Sequence, residues 1–148
     1  MDPAHELSRV LGPLRRAVLR RTREAAGLPD LPDAQVELLR TLEATPGLGV
    51  REVADRLQVA PSTVSNLVRT MLAKDLVERR ASTTDLRAVE LEASPMALGL
   101  LQRYDEVSSA LLDEAIGRLG PADRKAVLRA IPALSQLLSA IESVELRA

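Results

Sequence analysis

The sequence predicts a mainly α-helical fold that carries one small β-hairpin. Apolar residues recur at helical spacing over most of the 148 residues, and only two short stretches in the middle of the chain alternate as half-buried strands do. The chain has one Tyr and no Phe or Trp, so its core must be aliphatic, which favours helices. With 46% apolar residues, the chain can bury a real core within one domain that spans residues 1–148.

The first helix is expected over His5–Ala26, with Gly27 at its end and Pro29 as a breaker beyond it. Its apolar stripe consists of Leu7, Val10, Leu11, Leu14 and Val18. Several arginines fall largely outside this stripe. They form either a basic face near phosphate or an ordinary solvated face, and the sequence favours neither interpretation.

The second helix is expected over Ala34–Glu43, with Asp33 as its N-cap. It packs through Val36, Leu39 and Leu42. The turn Thr45-Pro46-Gly47 follows this helix. After the turn, Leu48–Val50 is expected to add a short third strand beside the hairpin.

The next two helices form the most informative pattern in the chain. The first has an apolar stripe formed by Val50, Val53, Ala54 and Leu57. The second begins at Pro61, where a missing N–H costs nothing, and its stripe is formed by Val64, Leu67, Val68, Met71 and Leu72. Helices that cross steeply need a small residue at their contact, here Ala54, and we expect Val59 to fill the turn as an apolar plug. This pattern is typical of a helix-turn-helix, whose second helix leaves its outer face free for a DNA groove.

The outer face of that second helix carries small polar groups, one guanidinium and no acid. Its residues are Ser62, Thr63, Ser65, Asn66, Arg69 and Thr70. Such side chains can approach a polyanion and form hydrogen bonds with base edges, so we predict base readout by all of them except Thr70. The alternative is a solvated face that happens to lack acids.

The two alternating stretches that follow predict a hairpin of the winged-helix type. Asp75–Arg80 is the first strand, Arg87–Glu92 is the second, and a polar loop joins them. Arg87 is the residue best placed to enter a minor groove, and Asp85 is expected to hold its guanidinium in a bidentate pair. Alternatively, these two residues form an ordinary surface ion pair. Three further arginines are expected to touch phosphate: Arg51, Arg79 and Arg80.

Two long helices are expected after the hairpin. One is capped by Ser94 and runs over Pro95–Arg118, and the other runs over Ala122–Val144, with Pro132 inside it as the cause of a kink or a split. The first and last helices carry more apolar surface than a small winged domain can bury alone. This surface predicts a partner, and a monomeric helical bundle is the alternative.

Composition excludes several classes of protein and of site. There is no Cys, which excludes disulfides, thiolate metal sites and thiol redox switches. His5 is the only His, and no Gly-rich phosphate loop is found, so we expect no enzyme, no metal and no cofactor. No membrane span or signal peptide is evident, which predicts a soluble, cytoplasmic protein. The preference for Arg over Lys fits a GC-rich bacterial genome, and the net charge of −1 favours sequence-selective, salt-sensitive DNA binding over general coating.

Residues Val50–Glu92 resemble the winged helix-turn-helix of the MarR (multiple antibiotic resistance regulator) family. The matching stretches are Ser62-Thr63-Val64-Ser65-Asn66-Leu67-Val68-Arg69, Lys74-Asp75-Leu76-Val77-Glu78-Arg79 and Asp85-Leu86-Arg87-Ala88-Val89-Glu90-Leu91. The chain departs from the family at Asp75, where Gly is frequent, and at Ala88, where a second Arg is usual. The wing also often carries Pro or Gly, and neither occurs between Ser82 and Arg87.

The resemblance implies a homodimer whose first and last helices interleave. Its two recognition helices would read a pseudo-palindrome with half-sites roughly 34 Å apart. The resemblance also implies a small-molecule effector that binds between the DNA-binding lobe and the dimerising helices and weakens DNA binding.

We therefore predict a mainly α winged helix-turn-helix with N- and C-terminal dimerisation helices. Residues 30–92 form the DNA-binding lobe, and residues 5–28 together with 94–145 form the dimerisation region. The predicted function is that of a transcriptional repressor that binds a pseudo-palindromic operator in double-stranded DNA as a homodimer. The alternative is a winged-helix protein-interaction module that does not bind DNA, and salt dependence separates the two, because binding to DNA falls steeply with salt.

Overall fold

The computed structural model describes residues 1–85 and 87–145, and it confirms the predicted mainly α fold with one hairpin. The described elements are α1 (Pro3–Ala26), α2 (Asp33–Ala44), α3 (Val50–Leu57), α4 (Pro61–Ala73), β1 (Val77–Ala81), β2 (Val89–Ala93), α5 (Pro95–Gly117) and α6 (Pro121–Glu142). Leu86, which belongs to the wing sequence, and residues 146–148 lie outside the described residues. None of the described helices is both long and apolar enough to cross a membrane.

The chain divides into two compact units, residues 1–108 and 109–148. The first unit holds α1 to α4, the hairpin and the first part of α5, and it contains the buried core. The largest fully buried apolar side chains of this core are Leu38, Leu39, Leu42, Met71, Leu91, Val53, Val64 and Val68. They are all aliphatic, as the near absence of aromatic residues predicts. The second unit holds the end of α5 and all of α6, and no residue of α6 is buried.

The hairpin is antiparallel, and its register pairs Val77 with Ala93 and Ala81 with Val89. The predicted third strand is reduced to one isolated bridge, between Leu48 and Leu91. Leu91 donates its N–H to the Leu48 carbonyl at 2.8 Å, and the Leu91 carbonyl accepts from the Gly47 N–H at 3.0 Å. Gly47 has φ +85°, a conformation that suits glycine, and it allows the chain to turn into this bridge.

The caps of the helices agree only partly with the prediction. Ser94 caps α5 as expected, because its Oγ accepts from the Ala97 N–H at 3.0 Å. The predicted N-cap of α2 is wrong: Asp33 is the first helical residue and Pro32 precedes it, without a side-chain cap. The Asp33 carboxylate instead lies 3.1 Å from Arg15 Nη2. An acid in the first turn still favours the helix through its dipole.

The interior proline of α6 does not split the helix. Pro132 lies inside an uninterrupted α6. The prediction of a split is therefore wrong, although the ring still removes one backbone hydrogen bond at that point.

Asp75 closes the end of α4 in a left-handed conformation, with φ +57°. Its N–H donates to the Leu72 carbonyl at 3.1 Å, and the N–H of Leu76 donates to the Met71 carbonyl at 2.9 Å. These two bonds form a Schellman motif, whose left-handed position is usually occupied by glycine. The departure from the family pattern at this position thus puts a side chain where the backbone disfavours one.

Asp75→Gly is therefore expected to raise the free energy of unfolding by roughly 0.5–1 kcal/mol. It relieves the left-handed strain and removes an acid from the negative end of the α4 dipole. Chemical denaturation of both proteins measures the difference. Asp75→Asn, which loses the charge but keeps the side chain, separates the two contributions, and a glycine variant no more stable than the parent would contradict the prediction.

Candidate nucleic-acid interface

Helices α3 and α4 pack against each other through small and branched side chains. Ala54 is 1% exposed, and Val53 of α3 and Val64 of α4 are completely buried. The small residue therefore lies in the buried part of the helix pair, as the crossing requires. This packing turns the remaining residues of α4 outward.

The turn between α3 and α4 differs from the prediction. Val59 is 40% exposed, so it is not the apolar plug that we expected. Leu57, partly buried against the core, supplies the apolar contact at this end of α3. The turn itself is held by its backbone: Gln58 adopts φ +56°, and the Val59 N–H donates to the Ala54 carbonyl at 3.1 Å.

The outer face of α4 is exposed along its whole length. Its exposed residues include Ser62, Thr63, Ser65, Asn66, Arg69 and Thr70. The first turn of α4 contains no acid, so the positive end of the helix dipole is not neutralised there. Thr70 differs from the others because its hydroxyl donates to the Asn66 carbonyl at 3.3 Å. The five residues predicted to read bases thus share one exposed face.

Within the described residues, the arginines of the predicted DNA interface divide into one that is paired with a carboxylate and four that are not. All of them, Arg51, Arg69, Arg79, Arg80 and Arg87, are exposed. Arg80 is held across the hairpin, with its Nη2 2.6 Å from Glu92 Oε2. The ion pairs found among residues 1–85 and 87–145 involve none of the other four. Arg80 is therefore the least available of these cations for a phosphate.

The tip of the hairpin is organised by side chains that bond to the backbone. Asp85 Oδ1 accepts from the Arg87 N–H at 3.0 Å, whereas the ion pairs of the described residues include none between the two side chains. The predicted bidentate pair is therefore replaced by an Asx-turn, which a short acid two residues before an N–H readily forms. As a result, the Arg87 guanidinium is exposed without a described carboxylate partner.

Ser82 is a structural residue of the wing that the sequence analysis missed. The residue is 4% exposed, and its Oγ accepts from the N–H groups of Thr84 at 3.3 Å and Asp85 at 3.2 Å. A serine at the start of a polar loop is a recognisable signal for such a turn. Ser82 and Asp85 together shape the loop that carries Arg87.

Comparisons with known proteins agree with this architecture. A model of the MarR family matches residues 31–89, which run from just before α2 to the start of β2. Staphylococcus aureus MepR, a transcription regulator of the multidrug efflux pump MepA, is 17% identical, with a TM-score of 0.71, over 95% of this chain and 99% of that chain. RV1404 from Mycobacterium tuberculosis is 16% identical, with a TM-score of 0.75, over 92% and 94% of the two chains.

A third solved structure is Streptococcus pneumoniae FabT in complex with DNA. It is 15% identical to this chain, with a TM-score of 0.70, over 95% of this chain and 99% of that chain. No curated protein matches the sequence. The family model covers the helix-turn-helix and most of the hairpin, and the solved structures share the fold over nearly the whole chain. Residues 31–89 therefore carry the match to the MarR family, whose members are transcription regulators, and the chain as a whole shares the fold of the solved structures.

Proposed function

We propose that this protein is a DNA-binding transcription repressor that binds a pseudo-palindromic operator as a homodimer. The observation that carries the proposal is the exposed, acid-free face of α4, opposite an apolar face on which Val64, Val68 and Met71 are completely buried. In the proposed complex this face reads bases through Ser62, Thr63, Ser65, Asn66 and Arg69. The DNA complex of FabT, which has the same fold, supports this function.

The wing and its neighbours add contacts to the DNA backbone in this proposal. Arg87 enters the minor groove beside the hairpin, on a loop that Asp85 shapes. Arg51 and Arg79 neutralise phosphates, and Arg80 contributes less because Glu92 already holds it. Such contacts position the protein on the duplex, while the α4 contacts supply the sequence preference.

The homodimer is supported by two uncovered apolar stripes. On α6 the stripe consists of Val127, Ile131, Leu134, Leu138 and Ile141, which are 39–59% exposed. Its steps of four and three residues follow the heptad spacing of a helix-helix seam. On α1 a second stripe consists of Leu7, Val10, Leu11 and Leu14, which are 36–58% exposed. A second copy of the chain is the partner that covers such stripes through a self-complementary two-fold interface.

In this function the repressor acts in the bacterial cytoplasm, where it blocks transcription by occupying its operator. A small-molecule effector releases it from the operator. Such an effector would have to favour a spacing of the two recognition helices that no longer fits the groove.

Selection of bound sequences from a random double-stranded DNA pool at near-physiological salt tests the proposal. We expect an enriched pseudo-palindrome whose half-site spacing reports the dimer. No enrichment, with a dimer present in solution, would contradict DNA binding. A partner protein whose binding to the α4 face is nearly independent of salt would instead identify an interaction module, because binding to DNA weakens steeply with salt.

Asn66→Ala is expected to lower the ratio of operator binding to random-DNA binding by roughly tenfold, because an amide reads a base edge directly. Affinity for random DNA should change little. Thr70→Ala is a matched control on the same helix, since the Thr70 hydroxyl bonds to the backbone. Titration of both variants against operator and random duplexes gives the ratio, and an Asn66→Ala ratio equal to that of the parent argues against base readout at this position.

A further inference from the structure

Helix α5 is held to the first unit in two different ways along its length. Near its start, Ala97 and Leu101 are buried in the core, and they are the buried residues of this helix. One turn further, the attachment is polar. Arg103 Nε donates to the Ala26 carbonyl at the end of α1, at 3.4 Å, and Asp105 binds Arg40 of α2. Beyond its buried segment, α5 is therefore tied to α1 and α2 by polar contacts, alongside the half-buried side chains of Tyr104 and Val107.

The contact between Arg40 and Asp105 has the geometry of a strong pair. Arg40 Nη1 donates to Asp105 Oδ2 at 2.9 Å, and Nη2 donates to Asp105 Oδ1 at 2.6 Å. Two parallel hydrogen bonds fix the orientation of the guanidinium relative to the carboxylate as well as the distance between them, whereas a single bond does not fix the orientation. Glu43 accepts from the same Nη1 at 3.1 Å, and this contact holds the guanidinium in place from its own helix. The hydrogen bond with Asp105 is also the main reason why the pKa of Arg40 is raised above its usual value.

The backbone beneath Arg40 is part of the rigid helix-turn-helix unit. Its neighbours Leu38 and Leu39 are completely buried, and α2 packs against α3, α4 and β2. Through the packing of α2, the position of Arg40 is therefore linked to α4, the helix that carries the readout residues. At the other end of the contact, α5 continues from the first unit into the second, which carries the apolar α6 stripe.

We propose that Arg40 and Asp105 form a positioning pair that sets the angle between α5 and the helix-turn-helix, and thereby the half-site spacing that the dimer accepts. The inference rests on the proposed DNA-binding function. An exposed ion pair ordinarily contributes little, but this one is bidentate, half-buried on the arginine side and located just beyond the last buried residue of α5. Its role would be to select a geometry rather than to stabilise the fold.

The test compares operators whose half-sites are moved apart or together by one base pair. The parent protein should prefer its selected spacing. Asp105→Ala should reduce that preference by about fivefold or more, the range of an ordinary coupling between two sites, while affinity for random DNA stays the same. Asp105→Asn, which keeps the shape but loses the charge, should act in the same direction, and Arg40→Lys should not substitute for the forked guanidinium.

A charge swap and a matched control complete the experiment. The double variant Arg40→Asp with Asp105→Arg should recover part of the spacing preference, which a merely structural role of either residue would not produce. Glu114→Gln removes the ion pair between Glu114 of α5 and Arg118, the residue after the end of α5, and should leave the preference unchanged. Thermal melts and sedimentation verify that each variant is folded and dimeric.

The outcomes separate this inference from the proposed function. If the parent selects no operator, the proposed function fails, and the inference falls with it. If the parent selects an operator and the folded Asp105 variants keep its spacing preference, the Arg40–Asp105 contact is an ordinary surface ion pair and only the inference is wrong.

Discussion

Either Ile131→Asp or Leu138→Asp is expected to make the protein monomeric and to abolish specific operator binding. Both residues belong to the α6 stripe and are 52% and 59% exposed in a single chain. Substitution therefore costs the monomer little, because α6 buries neither side chain. In the dimer each position occurs twice, so every substitution removes two apolar contacts of roughly 1.5–3 kcal/mol each and introduces two unpaired carboxylates.

Loss of the dimer leaves one recognition helix for each binding event. Specific binding should then approach non-specific binding, a loss of roughly a thousandfold or more. Sedimentation gives the oligomeric state, and titration of the operator gives the affinity. Leu128→Asp is the control, since Leu128 is 51% exposed on the same helix but does not belong to the heptad stripe. An Ile131 or Leu138 variant that remains a dimer would disprove the role of this stripe.

The helix-turn-helix could be predicted closely from sequence because its signal is local. The buried positions of α4, including Val64 and Val68, recur at helical spacing, so the same pattern identifies the polar face opposite them. Pro61 and the family-like stretch after it mark where this helix begins. The face and its residues follow from periodicity alone, without knowledge of any long-range contact.

Two of the features that sequence reasoning missed depend on contacts between distant residues. Arg80 was expected to be free for phosphate, but the hairpin register brings Glu92, twelve positions later, within 2.6 Å. Arg40 and Asp105 are separated by 65 positions, and no local pattern pairs them. Such pairings depend on how the strands and helices pack, which spacing along one element does not reveal.

Competition between neighbouring hydrogen-bond donors explains the difference at Asp85. The sequence suggested that Asp85 binds the side chain of Arg87, yet the nearest donor is the Arg87 backbone N–H. A carboxylate two residues before an N–H can close a turn without ordering a long, flexible side chain. The local backbone bond therefore wins, and it leaves the arginine exposed at the tip of the wing.

This exposure is the basis of the second large effect that we expect. Arg87→Ala should weaken operator binding by roughly tenfold to a hundredfold at near-physiological salt, because it removes a charge from the minor groove. It should also reduce the dependence of the affinity on salt by the equivalent of about one phosphate contact. Folding should be nearly unaffected, with a change in the free energy of unfolding below about 1 kcal/mol, since the side chain is exposed.

The control for this prediction lies on the same hairpin. Arg80→Ala removes an equal charge, but one that Glu92 already neutralises, so its effect on operator affinity should be clearly smaller. The bonds from Ser82 and Asp85 that shape the tip are to backbone N–H groups, so they remain when the Arg87 side chain is truncated. Operator titration at several salt concentrations distinguishes the two variants. Equal affinity of the Arg87 variant and the parent would show that the wing tip does not contact DNA, and would leave α4 as the main source of binding.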